Sequence, residues 1–150
     1  MASPLRTLLA YLEAFEVAYT SDDWNVLDAH FGEDASYTVE GSPPFAGVWQ
    51  PREAIKTQFR KICNEFDRRF NERIVAEAGR PKLRGDEILF SWQARYRLSG
   101  APDFLLVGSS SARIENGRIS ELLDIISAEN CAAAEAYIRT YEQRLQPVKL

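Results

Sequence analysis

The clearest strand pattern of the chain lies at residues 88–98, which read ILFSWQARYRL. Alternate positions of a strand share one face, because successive side chains point to opposite sides of the sheet. One face of this stretch is therefore apolar, and it carries Ile88, Phe90, Trp92, Ala94, Tyr96 and Leu98. The other face is mostly polar, and it carries Leu89, Ser91, Gln93, Arg95 and Arg97. We expect this strand to lie in a sheet that has one covered face.

Further strands are predicted on both sides of this one, at residues 70–78, 104–114 and 117–126. Short turns at residues 80–86, 99–103 and 115–117 join them, and Asn116-Gly117 is a strong hairpin signal. Strands that follow one another through short turns pair with their neighbours. The second half of the chain therefore predicts an antiparallel meander.

Helical spacing dominates the first half. It predicts a helix over residues 4–19, a short helix from Ser21 or Asp22 to Gly32, and a third helix that begins at Pro51. A short strand over residues 35–39 and a loop over residues 41–47 separate the last two. Residues 131–145 predict a terminal helix. Helices followed by a meander indicate the α+β class, and 150 residues fit a single domain over 1–150.

Composition excludes several classes of function. A formal charge of −4 and a pI near 5.1 argue against a nucleic-acid partner. The apolar stretches are much shorter than the roughly 20 residues that span a bilayer, so no membrane partner is expected. The N-terminus lacks the basic and apolar segments of a signal peptide. Cys63 and Cys131 are far apart, which favours reduced thiols and a cytoplasmic location.

No cofactor or metal is predicted. His30 is the only histidine, so a zinc or iron site built on several histidines is excluded. The chain contains no glycine-rich phosphate loop and no nucleophile elbow. Any chemistry must therefore be sought among carboxyl, hydroxyl and imidazole groups.

Asp124 is the main candidate for such chemistry. Alternation over residues 117–126 places it between Leu122 and Ile126 on one face of its strand. A carboxylate among branched aliphatic side chains is costly to bury unless it is hydrogen-bonded, paired or protonated. It is therefore a candidate acid or base with a raised pKa. The alternative is an acid at the solvated end of the strand.

The order of elements resembles the nuclear transport factor 2-like (NTF2-like) superfamily, in its SnoaL-like branch. Three local stretches carry the resemblance. Residues 23–35, DWNVLDAHFGEDA, resemble the family's helix-to-strand signature. Gly47 followed by residues 52–55 resembles its glycine-then-helix entry, and residues 116–119 resemble its last hairpin. The resemblance covers residues 8–127 and implies a cone-shaped, curved, mainly antiparallel sheet packed against N-terminal helices, with a C-terminal helix.

The resemblance also implies a pocket against the concave face of the sheet for a hydrophobic small molecule. We expect Asp124 to face this pocket. The lining residues that we expect are Trp24, Tyr37, Trp49, Phe90, Trp92, Ser110, Leu122 and Ile126. The strand alternation independently gives the same inward face for the residues of the meander.

Known activities of similar proteins can be matched position by position. The base of a ketosteroid isomerase falls at Val39, and its two hydrogen-bond donors fall at Phe15 and Ser110, so steroid-type isomerisation is disfavoured. Epoxide hydrolases of the limonene type place an arginine between two aspartates. Asp124 matches one aspartate, but alternation turns Arg95 and Arg97 outward. In a SnoaL-type cyclase, a pocket aspartate acts as acid and base among aromatic side chains, a pattern that Asp124 fits.

Three hypotheses follow from these matches. The first is an enzyme of the isomerase, cyclase or dehydratase type with Asp124 as general acid and base, assisted by Tyr96 or His30. The second is a ligand-binding protein without turnover. The third is a dimeric accessory domain whose pocket is filled by its own aromatic side chains. For His30, capping the end of a short helix is the alternative to catalysis.

A homodimer is predicted separately. The outward faces of the last two strands carry apolar side chains that need covering, and similar proteins commonly pair through this face of the sheet. The apolar outward residues are Leu105, Val107, Leu123 and Ile125, and they lie beside Gln93, Arg95 and Arg97.

Overall fold

The computed structural model describes residues 3–149. Its helices are α1 (Pro4–Ser21), α2 (Arg52–Glu65) and α3 (Ala128–Tyr141), with two short 3-10 helices at Trp24–Ala29 and Asp67–Arg69. Its strands are β1 (Phe31–Glu40), β2 (Gly47–Trp49), β3 (Glu72–Glu77), β4 (Lys82–Arg84), β5 (Glu87–Arg97), β6 (Phe104–Glu115) and β7 (Arg118–Ile125). The predicted α+β class and the predicted order of the main elements are confirmed.

The strands form one curved, open sheet in the order β2-β1-β7-β6-β5-β3, and β4 also pairs with β5. The pair β1–β7 is parallel and the other pairs are antiparallel, so the sheet is mainly antiparallel as predicted. A row of residues crosses four strands at the middle of the sheet. It runs from Val39 through Asp124 and Ser110 to Phe90, which are directly paired with one another. Paired residues point to the same face, so these four side chains share the face that the helices cover.

Local sequence signals explain the helix ends. The Ser3 side chain accepts a hydrogen bond from the Arg6 N–H and caps α1. Ser127 caps α3 in the same way, by accepting from the Asn130 N–H. Because of this cap, α3 begins three residues before the predicted start at Cys131, and it ends at Tyr141 rather than at Leu145. The predicted hairpin is confirmed, since Asn116 and Gly117 adopt φ values of 53° and 73°, as a type I′ turn requires.

Two short strands were missed. Residues 47–49 pair with β1 at the end of the predicted loop, and residues 82–84 pair with β5 inside the predicted turn. Each has only three residues, which is too few for alternation to be visible. The strand predicted over residues 35–39 is also longer, because β1 starts at Phe31.

Aromatic side chains join the helices to the covered face of the sheet. Phe59 of α2 packs edge-on against Tyr37 of β1, with ring centroids 4.9 Å apart. Tyr11 of α1 packs against Phe31 at 5.1 Å. At the other end, Tyr137 of α3 lies 5.4 Å from Phe104. Within residues 3–149, no helix is long and apolar enough to cross a membrane.

Candidate functional site

Asp124 lies at the centre of the covered face, on β7 between β1 and β6. Its Oδ2 accepts a hydrogen bond of 2.6 Å from the Tyr37 hydroxyl. Its Oδ1 accepts one of 2.6 Å from Ser110 Oγ. Ser110 Oγ in turn accepts a hydrogen bond of 2.8 Å from the indole Nε1 of Trp92. We call Trp92, Ser110, Asp124 and Tyr37 the Asp124 network.

The electrostatic surroundings favour the neutral form of Asp124. Burial is the largest effect and raises the pKa of its carboxyl group, while the hydrogen bonds from Ser110 and Tyr37 partly oppose this rise. Among residues 3–149, no lysine or arginine forms an ion pair with Asp124. The charge of an ionised Asp124 is therefore stabilised by neutral hydroxyl groups alone.

Two phenols lie beside this carboxyl group. Burial raises the pKa of Tyr37 well above its usual value, and the nearby negative charge of Asp124 raises it further. The same two causes, in the same order, raise the pKa of Tyr11 on α1. Both phenols are therefore neutral hydrogen-bond donors at ordinary pH. Tyr11 is buried, and within the described part of the chain its hydroxyl forms no hydrogen bond.

Apolar groups surround the polar network. Val39, Leu122 and Ile126 are buried, while Phe90 and Trp92 are partly exposed. The indole of Trp92 lies across Gly108, since a Cβ built on that glycine would come within 2.5 Å of the ring. Trp92 therefore packs over Gly108 and also holds Ser110.

Aromatic rings support Tyr37 from two sides. Trp49 of β2 stacks on it with centroids 5.6 Å apart, and Phe59 contacts its edge. Trp24 lies one ring further away, 6.3 Å from Phe59, and donates its indole N–H to Asp22 at 2.9 Å. Trp49 is thus close to the Asp124 network, whereas Trp24 contributes to the core beneath it.

Tyr96 is not brought to Asp124. It pairs with Phe104, six residues further along β5 than Phe90, the residue level with Asp124. At about 3.3 Å per residue, this separation is close to 20 Å. The Tyr96 hydroxyl donates instead to Asp67 Oδ2 at 2.9 Å. Tyr96 therefore does not assist Asp124 as expected, and it lies instead with Asp67 and Arg73, which we call the Asp67 cluster.

His30 is also far from Asp124. It is the C-terminal cap of the first 3-10 helix and donates its backbone N–H to Leu27 O at 2.9 Å. It precedes Phe31, which pairs with Ile119, whereas Asp124 pairs with Val39 at the other end of β1. Partial burial lowers the pKa of His30. The helix-end role weighed for His30 matches this position, and assistance to Asp124 does not.

Concavities also lie on the other side of the sheet, and Trp92 of the Asp124 network lines one of them. Two concavities of about 310 Å³ each open on the outer face of the sheet. Residues that line one of them include Ser91, Gln93, Val107, Ser109 and Ile125. Asp124 and Tyr37 line neither. Within residues 3–149 there is also no group of three histidine, cysteine or acidic side chains placed to hold a metal ion.

No family model matches the chain, and no curated protein matches it in sequence. Solved structures do match. An NTF2-like protein from Burkholderia xenovorans superimposes with a TM-score of 0.63 at 17% identity, over 89% of this chain and 98% of that one. The chain has the NTF2-like fold.

Two further solved structures match the chain. One is a hypothetical protein from Catenulispora acidiphila with a ketosteroid isomerase-like fold, solved in complex with trimethylamine. It aligns with a TM-score of 0.62 at 18% identity, over 84% of this chain and 92% of that one. The other is an LEH-like epoxide hydrolase from M. tuberculosis, with a TM-score of 0.62 at 16% identity, over 92% and 96% of the two chains. At these identities the likeness extends to the NTF2-like fold alone.

Two residues that lie near the candidate site or near Tyr96 were not singled out from the sequence. Tyr11 follows Leu8 by three residues and precedes Phe15 by four, so helical spacing already placed it on the covered side of α1. Asp67 lies in a short 3-10 helix after α2, where no periodicity indicates which way a side chain points. Helical spacing in the sequence could therefore have identified Tyr11, whereas no sequence pattern indicated the position of the Asp67 side chain.

Proposed function

We propose that this chain binds an apolar small molecule against the covered face of its sheet and that Asp124 acts there as general acid and base. One observation carries the proposal. The carboxyl group of Asp124 is held between two neutral hydroxyl donors and pairs with no cation of residues 3–149, in surroundings that raise its pKa. A carboxyl group with a raised pKa is a stronger base than an ordinary carboxylate and still returns the proton as an acid.

The neighbouring groups suit this role. Tyr37 and Ser110 orient both carboxyl oxygens. The hydroxyl of Tyr11, which forms no hydrogen bond within residues 3–149, is a further donor for a ligand oxygen. Proton transfer from a positioned side chain contributes roughly 10²- to 10⁴-fold to a rate. In this proposal Tyr37 takes the assisting role that the sequence had suggested for Tyr96 or His30.

The reaction types that fit are isomerisation, cyclisation and dehydration of a hydrophobic substrate. Each requires proton transfer to or from carbon or oxygen. Epoxide hydrolysis of the limonene type fits less well, because it needs an arginine beside the aspartate. Arg95 lies outside, paired with Asp103 at 3.3 Å, and Arg97 is paired with Glu72 at 3.3 Å. Support for a small-molecule ligand comes from the fold, since one similar structure contains trimethylamine and another is an epoxide hydrolase.

The alternative is a ligand-binding or accessory protein without turnover. It is favoured by a specific observation: the two concavities of about 310 Å³ lie outside the sheet, while Tyr37, Leu122 and Ile126 are buried. In this alternative, Trp92 and Trp49 fill most of the space that a ligand would use, and Asp124 orients the remaining polar group.

Native mass spectrometry of freshly purified protein is the first experiment. A co-purified molecule of defined mass would supply the ligand class for an assay. Asp124→Asn is then compared with Asp34→Asn, which removes an exposed carboxylate from β1. The enzyme hypothesis expects loss of turnover with retained binding in the first variant and no change in the second. Unchanged turnover in Asp124→Asn would exclude the acid–base role.

A homodimer and a cytoplasmic location complete the proposal. The apolar outward residues Leu105, Val107 and Ile125 are exposed, and their burial by a second copy would stabilise a dimer. Both cysteines are free and buried, which supports a reducing compartment.

A further inference from the structure

The hydrogen bonds of the Asp124 network run in one donor-to-acceptor direction, which is determined by Trp92. An indole N–H is a donor only, so Ser110 Oγ must act as the acceptor in their 2.8 Å hydrogen bond. The single hydroxyl proton of Ser110 is then free to point at Asp124 Oδ1, 2.6 Å away. Ser110 is 4% exposed, so water offers this proton no ready alternative.

This direction makes the two oxygens of Asp124 unequal. A proton on Oδ1 would displace the Ser110 proton and leave a buried donor unpaired, which costs about 1–3 kcal/mol. A proton on Oδ2 meets the Tyr37 hydroxyl instead, at 2.6 Å. That hydroxyl is both donor and acceptor, and it can turn about its C–O bond. The neutral form of Asp124 is therefore protonated on Oδ2.

We propose that Trp92 and Ser110 are positioning residues that hold the Asp124 proton on Oδ2, and that Tyr37 is the catalytic residue that passes it to the ligand. The inference rests on the proposed function and specifies how its site works. When Oδ2 carries the proton, Tyr37 accepts from it and turns its own O–H towards the ligand. Tyr37 thereby becomes the group that contacts the reacting atom.

The proton transfer balances in one step. A lone pair of a ligand oxygen forms a new O–H bond with the Tyr37 proton as the phenol O–H bond breaks and its electron pair stays on the phenol oxygen. The phenol oxygen takes the proton of Oδ2, whose O–H bond breaks. Asp124 is left as a carboxylate that accepts from Tyr37 and Ser110, as in the structure. The ligand class is a molecule with a carbonyl oxygen or a leaving hydroxyl in an apolar frame.

Few other titratable groups face this site. The phenol of Tyr11 approaches from α1, and the thiol of Cys63 approaches from α2. Burial raises the pKa of both groups, so they stay neutral while Asp124 titrates. The pH response of the network consequently reports Asp124 alone.

Nuclear magnetic resonance of the ligand-free protein tests the direction. The Asp124 Cγ, Tyr37 Cζ and Trp92 Nε1–H signals are followed against pH. We expect Tyr37 to follow the Asp124 midpoint, because its hydroxyl changes from donor to acceptor. The Trp92 Nε1–H signal should change little with pH, because Ser110 Oγ stays its acceptor in both forms of Asp124. If Trp92 follows the titration as strongly as Tyr37 does, the proton is on Oδ1 and the inference is wrong.

Variants test the positioning role. Ser110→Ala removes one donor to the carboxylate and should raise the Asp124 midpoint by about one pKa unit. Ser111→Ala, the neighbour on the outer face, is the matched control and should leave it unchanged. Trp92→Phe keeps a ring near Gly108 but removes the indole donor, so Ser110 Oγ can accept a hydrogen bond from a proton on Asp124 Oδ1. Part of the neutral form then carries its proton on Oδ1, and the Tyr37 Cζ signal should change less during the Asp124 titration. A Ser110→Ala midpoint equal to that of the control contradicts the inference. The wild-type titration remains decisive if a variant fails to fold.

Turnover separates this inference from the function on which it rests. If Asp124→Asn and Tyr37→Phe both abolish turnover while ligand binding persists, both proposals stand. Loss of turnover in Asp124→Asn but not in Tyr37→Phe overturns the role of Tyr37 and leaves the acid–base function intact. Unchanged turnover in Asp124→Asn overturns the function itself.

Discussion

The Trp92 indole occupies the space that a side chain at Gly108 would need. A Cβ at this glycine would lie 2.5 Å from the ring of Trp92, on the strand paired with it. Gly108 is not one of the glycines with a positive φ, so its role is to make room rather than to allow an unusual backbone. The pair of residues therefore determines where the indole lies, and with it the donor to Ser110.

Gly108→Ala should displace Trp92 and break its hydrogen bond to Ser110. We expect a destabilisation of about 1–3 kcal/mol, as for other overpacked sites, together with a changed Trp92 fluorescence and indole N–H shift. Gly32→Ala is the matched control, because the nearest atom to its Cβ is 3.9 Å away. An unchanged indole signal in Gly108→Ala would show that the ring does not need this space.

Asp124→Asn should alter how stability depends on pH. The pKa of Asp124 is raised in the folded state, so the folded protein binds this proton more tightly than the unfolded chain does. Its contribution to stability is complete below the unfolded pKa of about 3.9 and is lost as pH rises through the folded pKa. The Asp124→Asn variant has no carboxyl group at this position, so its stability does not show this loss as pH rises.

Urea unfolding at a series of pH values measures the effect. The free energy of unfolding of Asp124→Asn, relative to wild type, should increase as pH rises from about 4 through the folded pKa. Asp34→Asn, which removes an exposed carboxylate from β1, is the matched control. A difference for Asp124→Asn that decreases with pH would mean that the folded state favours the carboxylate.

Arg73 should matter for stability rather than for the Asp124 chemistry. Its Nε lies 3.0 Å from Asp67 Oδ2, and the two side chains are 11% and 13% exposed. Arg73→Met leaves Asp67 buried without its cation, which should cost about 3–5 kcal/mol. The cost should shrink at low pH, because burial raises the Asp67 pKa and Arg73 opposes this rise, so the variant protonates Asp67 more readily.

An exposed arginine provides the comparison for Arg73. Arg95 is 47% exposed and pairs with Asp103 at 3.3 Å, so Arg95→Met should cost at most about 1 kcal/mol. Thermal unfolding of both variants at two pH values measures the difference. Equal losses in the two variants would mean that the Asp67 cluster contributes no more than a surface ion pair.

Alternation predicted the faces of the strands, but it did not predict positions along them. It correctly grouped Phe90, Trp92 and Tyr96 on one face, and Leu122, Asp124 and Ile126 on one face of their strand. Which of these side chains meet depends on the register between strands and on helices from distant parts of the chain. Tyr96 therefore forms its hydrogen bond with Asp67, a residue 29 positions away in an irregular turn, and not with Asp124.

The relation between Tyr37 and Asp124 shows the same limit. Both were predicted to line one pocket, yet their hydrogen bond joins residues 87 positions apart. It forms because β1 runs parallel to β7, which brings Val39 level with Asp124 and places Tyr37 beside it. A parallel pair between the first and last strands leaves no local signal in the sequence, since no turn connects them.

Two copies of the chain should pair through the outer face of the sheet, and a substitution at Val107 tests this prediction. Val107, Leu105 and Ile125 are 45%, 41% and 43% exposed on this face, and the concavity beside them offers room for side chains of a second copy. A stable interface buries more than about 1,000 Å² in total, so the dimer must cover these exposed side chains together with their neighbours on the face.

Val107→Glu places a carboxylate within that patch and should convert a dimer into a monomer, because an unpaired charge is costly to bury. Light scattering coupled to size-exclusion chromatography at micromolar concentration measures the mass. Val17→Glu, at a position 54% exposed on α1, is the matched control and should leave the dimer intact. A monomeric wild type would contradict the prediction, and so would a Val107→Glu variant that remains dimeric.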